Sequence, residues 1–552
     1  MKVLSLILML GLTTLGFSAT RTISEVSTNG EVTTTTNSNT VELITPPVTP
    51  EAPEVIWQYT QVSGITQKNS PIGQNADFVF TGGWYGGGIM FTGINGDGSA
   101  LWETDEPTVG ANEYWIWLGT GTAAAKTANI YYTVQEWTVY NDNGTPGDTS
   151  DDFLVSEGNT DVSLYNSASS VPIWSYSGTS DGFTSASVQE PGKYACSDDG
   201  TIFATAGAKD GHLAIQFFNS SSATPITTYE DASIEYFPRQ LRLTADGTKC
   251  IFRVSANLYR VDVATGTLED TFYLSASNDC FAISPDGSVV AYGFTAARIA
   301  TWDGSEYNLV AGAAVSGFYG GAATIAHDNQ TIYFGFNSSN YKTTRILRFD
   351  VSSSTPLWTY DSPTGTGSNQ NAMQWMDCSD DGRWMVAGSW GIDNGGPEVL
   401  VFDDQNPEEP VFGIDTPGSM FHVDMSPDGQ YITAAGKHVH ANVMGSGTDA
   451  YFAEIDLLGI EGMESSNNMN LLPINPNPVT NNLNVNFSLP ANGTISLGVY
   501  DLSGRLVQNL TQTQMATGSH NLSFTTDLNT GVYLCRLTSE QGSVTQKFVV
   551  AR

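Results

Sequence analysis

Short apolar runs alternate with Asp-Gly turns along most of the chain. Each run begins two residues after the turn, as in "SPDGSVVAYG" (284–293). Aspartate accepts a backbone hydrogen bond and glycine tolerates a positive φ, so this pattern predicts tight hairpins between strands. The same pattern recurs in "SDDGTIFATAG" (197–207), "TADGTKCIFRV" (244–254), "AHDNQTIYFGF" (326–336), "SDDGRWMVAGS" (379–389) and "SPDGQYITAAG" (426–436).

A second motif, a short aromatic strand, completes each repeat. Clear copies are "VIWQYT" (55–60), "ALWETD" (100–105), "PIWSYS" (172–177), "PITTYE" (225–230) and "PLWTYD" (356–361), with weaker ones at 268–274, 306–312 and 410–415. The turns start 40 to 53 residues apart, a period typical of four-stranded propeller blades. We therefore predict an all-β propeller over 55–458, and we favour eight blades over seven. The repeats resemble those of tryptophan-aspartate and pyrroloquinoline-quinone-type propellers.

The pattern changes after Pro476, Asn477 and Pro478. Apolar residues then alternate at Leu483, Val485, Phe487 and Leu489, which predicts a half-buried strand. Two hairpin patterns follow, at 494–510 and 531–550. Residues 471–552 should therefore form a small antiparallel β-sandwich.

This C-terminal segment resembles the sorting domain of the type IX secretion system of Bacteroidetes. The resemblance is carried by "PNP", "VYDLSGRLV", "GVYLCRL" and the terminal "KFVV". Asn475 departs from the family, which often has Tyr there. The sorting motif maps onto Pro476, Asn477, Pro478, Gly504, Gly531 and Lys547. The resemblance implies contact with the type IX machinery, transport across the outer membrane, and a cargo that is released or fixed to the cell surface.

The remaining boundaries follow from composition. Residues 1–19 pair Lys2 with a short apolar run and small residues, as in a cleavable signal peptide. Residues 20–54 are rich in Thr, Ser and Pro, which predicts a disordered linker. A polar linker is expected at 459–470. No stretch predicts a transmembrane segment in the mature chain.

The chain is strongly acidic, with a net charge of −36. Such a surface repels phosphate backbones, so nucleic acid is excluded as an expected partner. The five cysteines are sparse and do not form a disulfide framework. Buried thiols are expected, with a bridge between Cys250 and Cys280 as the alternative.

Acidic side chains crowd one loop, "NDNGTPGDTSDD" (141–152). Asp142, Asp148, Asp151 and Asp152, with Asn141 and Asn143, supply the oxygen ligands that calcium prefers. The spacing does not match an EF-hand, so a solvated hairpin loop is the alternative. Calcium is the one cofactor that the sequence suggests.

Two other groups of residues were considered as sites. His438 and His440 share a strand face, and His422 with Asp424 precedes them, which suggests zinc or copper. Aromatic side chains at one mouth of the ring suggest sugar stacking, with burial between sheets as the alternative. They are Trp84, Tyr85, Trp115, Trp117, Trp375 and Trp390.

The functional expectation is a secreted or surface-exposed propeller that binds a protein or glycan without catalysis. No adjacent cysteine pair is present to suggest a quinone enzyme. The alternative is a polysaccharide-active enzyme with paired carboxylates in the propeller centre. A self-associating surface-layer component is a third possibility.

Overall fold

The structure is a computed structural model, and its description covers most of residues 16–550. The described ranges are 16–26, 32–42, 54–61, 71–73, 76, 78–81, 89–94, 100–105, 108–178, 181–185, 192–235, 238–274, 280–365, 370–391, 396–440, 447–455, 470–471, 474, 479–480, 482–489, 493–500, 505–515, 518–526, 528–539 and 542–550. Within these ranges the protein is all-β, as predicted, and contains no helix. The chain divides into two compact units, Met1–Glu51 and Ala52–Arg552.

The first unit contains one antiparallel hairpin. Its strands are β1 (Gly16–Val26) and β2 (Val32–Glu42). This differs from the disordered linker expected over 20–54. Threonine is β-branched and favours strands, so a Thr-rich segment can pair with itself. An isolated two-stranded hairpin is only marginally stable in water. Of the predicted signal peptide (1–19), residues 1–15 lie outside the described residues.

Within the described residues, the second unit contains eight consecutive sheets between residues 54 and 455. Sheet 1 contains β4 (Phe78–Thr81), β5 (Ile89–Ile94) and β6 (Ala100–Asp105). Sheet 2 contains β7 (Glu113–Ala124), β8 (Ile130–Asn141), β9 (Phe153–Asn166) and β10 (Trp174–Ser177). Sheet 3 contains β11 (Phe183–Ser185), β12 (Tyr194–Cys196), β13 (Ile202–Lys209), β14 (His212–Asn219) and β15 (Ser222–Asp231).

Sheets 4 to 6 each have four strands in chain order. Sheet 4 contains β16 (Gln240–Leu243), β17 (Lys249–Val254), β18 (Asn257–Asp262) and β19 (Thr267–Tyr273). Sheet 5 contains β20 (Phe281–Ile283), β21 (Val289–Gly293), β22 (Ala296–Trp302) and β23 (Tyr307–Ala314). Sheet 6 contains β24 (Phe318–Ile325), β25 (Thr331–Ser338), β26 (Thr344–Asp350) and β27 (Trp358–Asp361).

Sheet 8 joins the two ends of this region. Sheet 7 contains β28 (Met373–Cys378), β29 (Trp384–Ser389), β30 (Val399–Asp403) and β31 (Phe412–Ile414). Sheet 8 contains β32 (Met420–Met425), β33 (Tyr431–Lys437), β34 (Thr448–Glu454) and β3 (Glu54–Gln61). Strand β3 pairs antiparallel with β34, so the first strand of the second unit completes the last of the eight sheets.

The Asp-Gly turns form the hairpins that the sequence predicts. In sheet 5 the Asp286 carboxylate accepts hydrogen bonds from the Ser284 hydroxyl at 2.7 Å and the Ser288 amide at 2.9 Å. Gly287 follows with a φ of 67°, a value that glycine adopts without steric cost. Equivalent bonds form at Asp199, Asp246, Asp381 and Asp428.

Neighbouring sheets are joined by backbone hydrogen bonds between these turns. The Asp198 amide donates to the Ala245 carbonyl at 2.9 Å, and the Ala245 amide donates to the Pro285 carbonyl at 2.7 Å. The Asp380 amide donates in the same way to the Pro427 carbonyl at 2.8 Å. The repeated turn therefore closes its own hairpin and also fixes the next sheet.

Apolar side chains fill the space between the sheets. One buried cluster combines strands of sheets 5 and 6, including Ile299, Ile332 and Phe334. Aromatic side chains of the outermost strands also pack there: Trp174 Nε1 donates to the Ser220 carbonyl at 2.9 Å, from sheet 2 to sheet 3. All five cysteines are free, so the alternative bridge between Cys250 and Cys280 is not formed.

The C-terminal region forms two further antiparallel sheets. The first contains β35 (Asn470–Leu471), β36 (Asn482–Leu489) and β39 (Gly518–Thr525). The second contains β37 (Gly493–Tyr500), β38 (Leu506–Met515), β40 (Gly531–Ser539) and β41 (Gly542–Val550). Both sheets contribute to one apolar core that includes Val485, Phe487, Leu497 and Phe548. Leu483, Val485, Phe487 and Leu489 are all buried, as the alternation predicts.

Among the described residues, no helix has the length and apolarity needed to cross a membrane. The expected linker at 459–470 lies outside the described residues except for Asn470, which begins β35.

Candidate functional site

Three polar side chains, from sheets 2, 7 and 8, meet in one cluster. Each lies in or next to the first strand of its sheet. Lys126 follows β7 in sheet 2, Asp377 lies in β28 of sheet 7, and Asp424 lies in β32 of sheet 8. Lys126 Nζ is 2.8 Å from Asp424 Oδ1 and 3.8 Å from Asp377 Oδ2. Lys126 Nζ also donates to the Met425 carbonyl at 3.2 Å. We call Lys126, Asp377 and Asp424 the central cluster.

The two carboxyl groups of the central cluster are hydrogen-bonded to each other. Two ionised carboxylates have no donor, so this contact requires a proton between them. Burial and the neighbouring Asp424 charge raise the pKa of Asp377, which therefore holds the proton. Burial would raise the pKa of Asp424, but the Lys126 ammonium, the hydrogen bond with Asp377 and the nearby His422 together outweigh burial and lower that pKa. The ionised form of Asp424 pairs with Lys126.

Backbone donors occupy the outer oxygens of the same pair. The Ile72 amide donates to Asp424 Oδ2 at 2.6 Å, and the Met425 amide donates to Asp377 Oδ2 at 3.0 Å. About a quarter of the Asp377 side chain and 12% of the Asp424 side chain remain accessible. These carboxyl groups are held by the protein itself, in an arrangement that leaves little capacity for a substrate.

His422, Trp375 and Arg242 pack against one another beside the central cluster. His422, also in β32, is buried, and its ring centroid is 5.2 Å from that of Trp375. Burial lowers the pKa of His422 to about 4, so the ring is neutral at pH 7. The Arg242 guanidinium of sheet 4 lies 4.7 Å from the Trp375 ring centroid and 6.0 Å from that of Phe281.

A histidine bridge links three of the Asp-Gly turns. His327 Nε2 is 2.8 Å from Asp198 Oδ2 in sheet 3, and His327 Nδ1 is 2.7 Å from Asp380 Oδ1 in sheet 7. His327 itself follows β24 of sheet 6. The hydrogen bonds to Asp198 and Asp380 raise the pKa of His327 to about 10, so it is a cation at pH 7. His327 and its two aspartate partners therefore connect turns from sheets 3, 6 and 7.

The acidic loop forms a network of local hydrogen bonds. Asp142 accepts from the Gly144 amide at 2.9 Å, Asp148 accepts from the Ser150 hydroxyl at 2.6 Å, and Asp151 accepts from Asn143 Nδ2 at 3.0 Å. Asp152 is hydrogen-bonded to the Tyr114 hydroxyl. Among the described residues, no three His, Cys, Asp or Glu side chains are grouped to hold a metal. The calcium site therefore stays a prediction.

The histidines considered for zinc have separate partners. His438 Nδ1 is 3.0 Å from Asp449 Oδ2, whereas His440 Nδ1 is 2.7 Å from the Trp390 carbonyl oxygen. His422 lies against Trp375 instead. Of the aromatic candidates, Trp84 and Tyr85 lie outside the described residues, as do the side chains of Trp115 and Trp117. Trp375 carries Arg242 on its ring, and Trp390 lies near Phe421.

The sorting motif is described only in its second half. Gly531 begins β40, and Lys547 is an exposed residue of β41, opposite Leu534. Pro476, Asn477, Pro478 and Gly504 lie outside the described residues. The two sheets around Gly531 and Lys547 share the apolar core described above.

The family comparison agrees with this architecture. Residues 473–551 match the secretion system C-terminal sorting domain. The C-terminal domain is a type IX sorting domain. The chain is therefore a secreted or cell-surface protein that interacts with the type IX secretion machinery. No curated protein matches the sequence.

Sequence reasoning missed two residues of the central cluster, Lys126 and Asp377, and the neighbouring Arg242. Lys126, Asp377 and Arg242 lie in separate repeats, and Lys126 is 298 residues from Asp424. Polar residues next to the turns were visible in the sequence, but their convergence depends on the arrangement of the sheets. Asp424 and His422 were considered together, although for a metal.

Proposed function

We propose that the eight sheets are the blades of a closed β-propeller and that this propeller is a non-catalytic binding module displayed outside the cell. Three observations support ring closure. Strand β3 completes sheet 8, Lys126 of sheet 2 bonds Asp424 of sheet 8, and His327 of sheet 6 bonds Asp198 of sheet 3. Contacts between such distant sheets are expected when their first strands surround a common axis.

The main support for a non-catalytic role is that the Asp377 and Asp424 carboxyl groups already have hydrogen-bond partners within the protein. Glycoside hydrolysis needs two carboxyl groups roughly 5–10 Å apart, with room for the sugar and its attacking group between them. Asp377 and Asp424 are instead bonded to each other, to Lys126 and to backbone amides. We assign these two residues a stabilising role in the ring. Ligands would bind at the surface around the mouth of the ring, where loops from the sheets converge.

The proposal extends to the route of export. The apolar run near Lys2 serves as a signal peptide for the periplasm, and the type IX sorting domain directs the second step across the outer membrane of a Bacteroidetes cell. The propeller is the cargo that remains on the surface or is released. The strong negative charge keeps such a cargo soluble.

The test is a binding and turnover assay with the full chain. The purified protein is incubated with a panel of polysaccharides and glycoproteins, with and without calcium, and both retention and product release are recorded. We expect saturable retention without product. Calcium dependence would support the site at 141–152, with Asp151→Asn as the variant that should abolish it. Released sugars or peptides would contradict a non-catalytic role, and Asp377→Asn would then test whether the central pair is responsible.

A further inference from the structure

One cation beside the central cluster has no carboxylate bonded to it among the described residues. Arg242 Nη1 donates to its neighbour's carbonyl, the Leu241 oxygen, at 3.0 Å. Its Nε and Nη2 groups make no hydrogen bond within the described part of the chain. This contrasts with Arg345, whose Nε and Nη2 both bond Asp361, at 2.6 and 2.7 Å.

The guanidinium of Arg242 is nevertheless fixed in place. It lies over the Trp375 ring at 4.7 Å, and Trp375 in turn packs against the His422 ring in a tilted arrangement. Aromatic stacking holds the guanidinium plane while leaving its N–H edge available. The Nε–Nη2 edge is the fork that binds a carboxylate with two parallel hydrogen bonds.

Gly192 lies against the Nη1 side of this guanidinium. A side chain at 192 would place its Cβ 3.2 Å from Arg242 Nη1 and 3.5 Å from the Trp375 ring. The Gly192 carbonyl oxygen accepts from the Leu241 amide at 2.6 Å, which anchors the segment next to Arg242. A residue with a side chain would crowd the guanidinium at this point.

No carboxylate is hydrogen-bonded to Arg242 among the described residues, and the nearby Asp377 charge offsets only part of its burial. His422 is buried and neutral. A partly desolvated cation is costly unless an anion compensates it. Burial lowers the pKa of Arg242 to about 10, in agreement with this cost.

We propose that Arg242, stacked on Trp375, is a binding site for a single carboxylate group on a small ligand such as a sugar acid. The acidity of the whole chain disfavours polyanions. This inference rests on the proposed binding role and names the ligand chemistry for one part of it.

The experiment measures binding of three probes to the full chain by isothermal titration calorimetry. The probes are sodium glucuronate, its neutral counterpart glucose, and acetate. We expect saturable binding of glucuronate, no binding of glucose, and weaker binding of acetate. Trigalacturonate, tested in parallel, distinguishes a free sugar acid from the acidic unit of an oligosaccharide. Inorganic phosphate or sulfate binding more tightly than any carboxylate would overturn the assignment.

Two variants connect the binding to Arg242. Arg242→Gln should weaken glucuronate binding at least tenfold. Arg242→Lys keeps the charge but loses the fork, and it should also weaken binding, which tests the site if the Gln variant fails to fold. Arg345→Gln removes an arginine that already has a carboxylate partner, and it should leave binding unchanged. Equal binding by wild type and a folded Arg242 variant would reject the site.

The outcomes separate this site from the general binding role. If the protein retains polymers even when glucuronate is added, and even in the Arg242→Gln variant, that result would reject the carboxylate site but not the general binding role. Glucuronate binding without retention of any polymer or glycoprotein would reject the macromolecular binding role and leave the site in place.

Discussion

The eight sheets and the C-terminal domain hold their strands together in different ways. The sorting domain relies on one continuous apolar core, in which both sheets bury Val, Leu, Ile and Phe side chains. The eight sheets have separate apolar clusters between neighbours, but distant sheets meet through ions and hydrogen bonds. The sorting domain therefore depends on packing, whereas the larger region depends also on a few charged residues.

The difference in charge follows the same division. Residues 471–552 carry four bases and three acids, a net charge of +1, so the rest of the protein carries −37, against −36 for the whole chain. A nearly neutral sorting domain is suited to contact with secretion machinery, and an acidic cargo is suited to remaining soluble after export. Four substitutions test this contrast.

The largest effect is expected in the sorting domain. Phe548 is fully buried, and Phe548→Ala should lower the free energy of unfolding of that domain by about 4 kcal/mol. Chemical denaturation should show an early transition for the C-terminal domain while the eight sheets unfold as before. Cells carrying the variant should also retain the protein. The exposed Gln512→Ala is the control and should change neither property.

A slightly smaller effect is expected in the central cluster. Lys126→Ala leaves the Asp424 carboxylate without its cation and should destabilise the eight sheets by roughly 3 kcal/mol. The sorting domain should be unaffected. The control is Lys209→Ala, because Lys209 forms an exposed pair with Glu230, and such pairs contribute about 0.5 kcal/mol. If both lysine variants unfold alike, the central cluster does not stabilise the eight sheets.

Removing one Asp-Gly turn should have an intermediate effect. Asp286→Ala removes the acceptor for Ser284 and Ser288, and we expect a loss of about 1 kcal/mol. Asp286→Asn keeps a side-chain oxygen acceptor and should recover most of it. The same denaturation curves measure both. An Asn variant as unstable as the Ala variant would show that the negative charge matters more than the hydrogen bonds.

The smallest effect concerns pH. The pKa of His327 rises from its ordinary 6.5 to about 10 in the folded protein, so the folded state binds its proton more tightly. The resulting stabilisation is complete below about pH 6.5 and is lost as the pH rises towards 10. His327→Gln should reduce that alkaline loss of stability, measured as melting temperature against pH. His440→Gln is the control, because His440 bonds a backbone carbonyl oxygen. An unchanged slope in His327→Gln would contradict the bridge.

The sequence predicted local features better than distant contacts. The Asp-Gly hairpins, the alternation in β36 and the sorting domain each depend on residues that are close along the chain, and all three are confirmed. The paired strands within 20–54 were not predicted, because Thr-rich composition favours both solvation and strand formation. The central cluster was not predicted either, because Lys126 and Asp424 are brought together only by the arrangement of whole sheets. Asp142, Asp148, Asp151 and Asp152 remain a predicted calcium loop.

Sheet 8 has a consequence for the timing of export. Gln58 of β3 and Tyr451 of β34 are 393 residues apart, so this sheet cannot be completed until almost the whole cargo has been synthesised. Bringing together such distant segments is slow, and a chain truncated before residue 448 lacks the partner of β3. The sorting domain follows β34 along the chain, at 473–551. Any chain that contains the sorting domain therefore also contains β34, the strand that completes sheet 8. A chain truncated before β34 lacks the sorting domain as well.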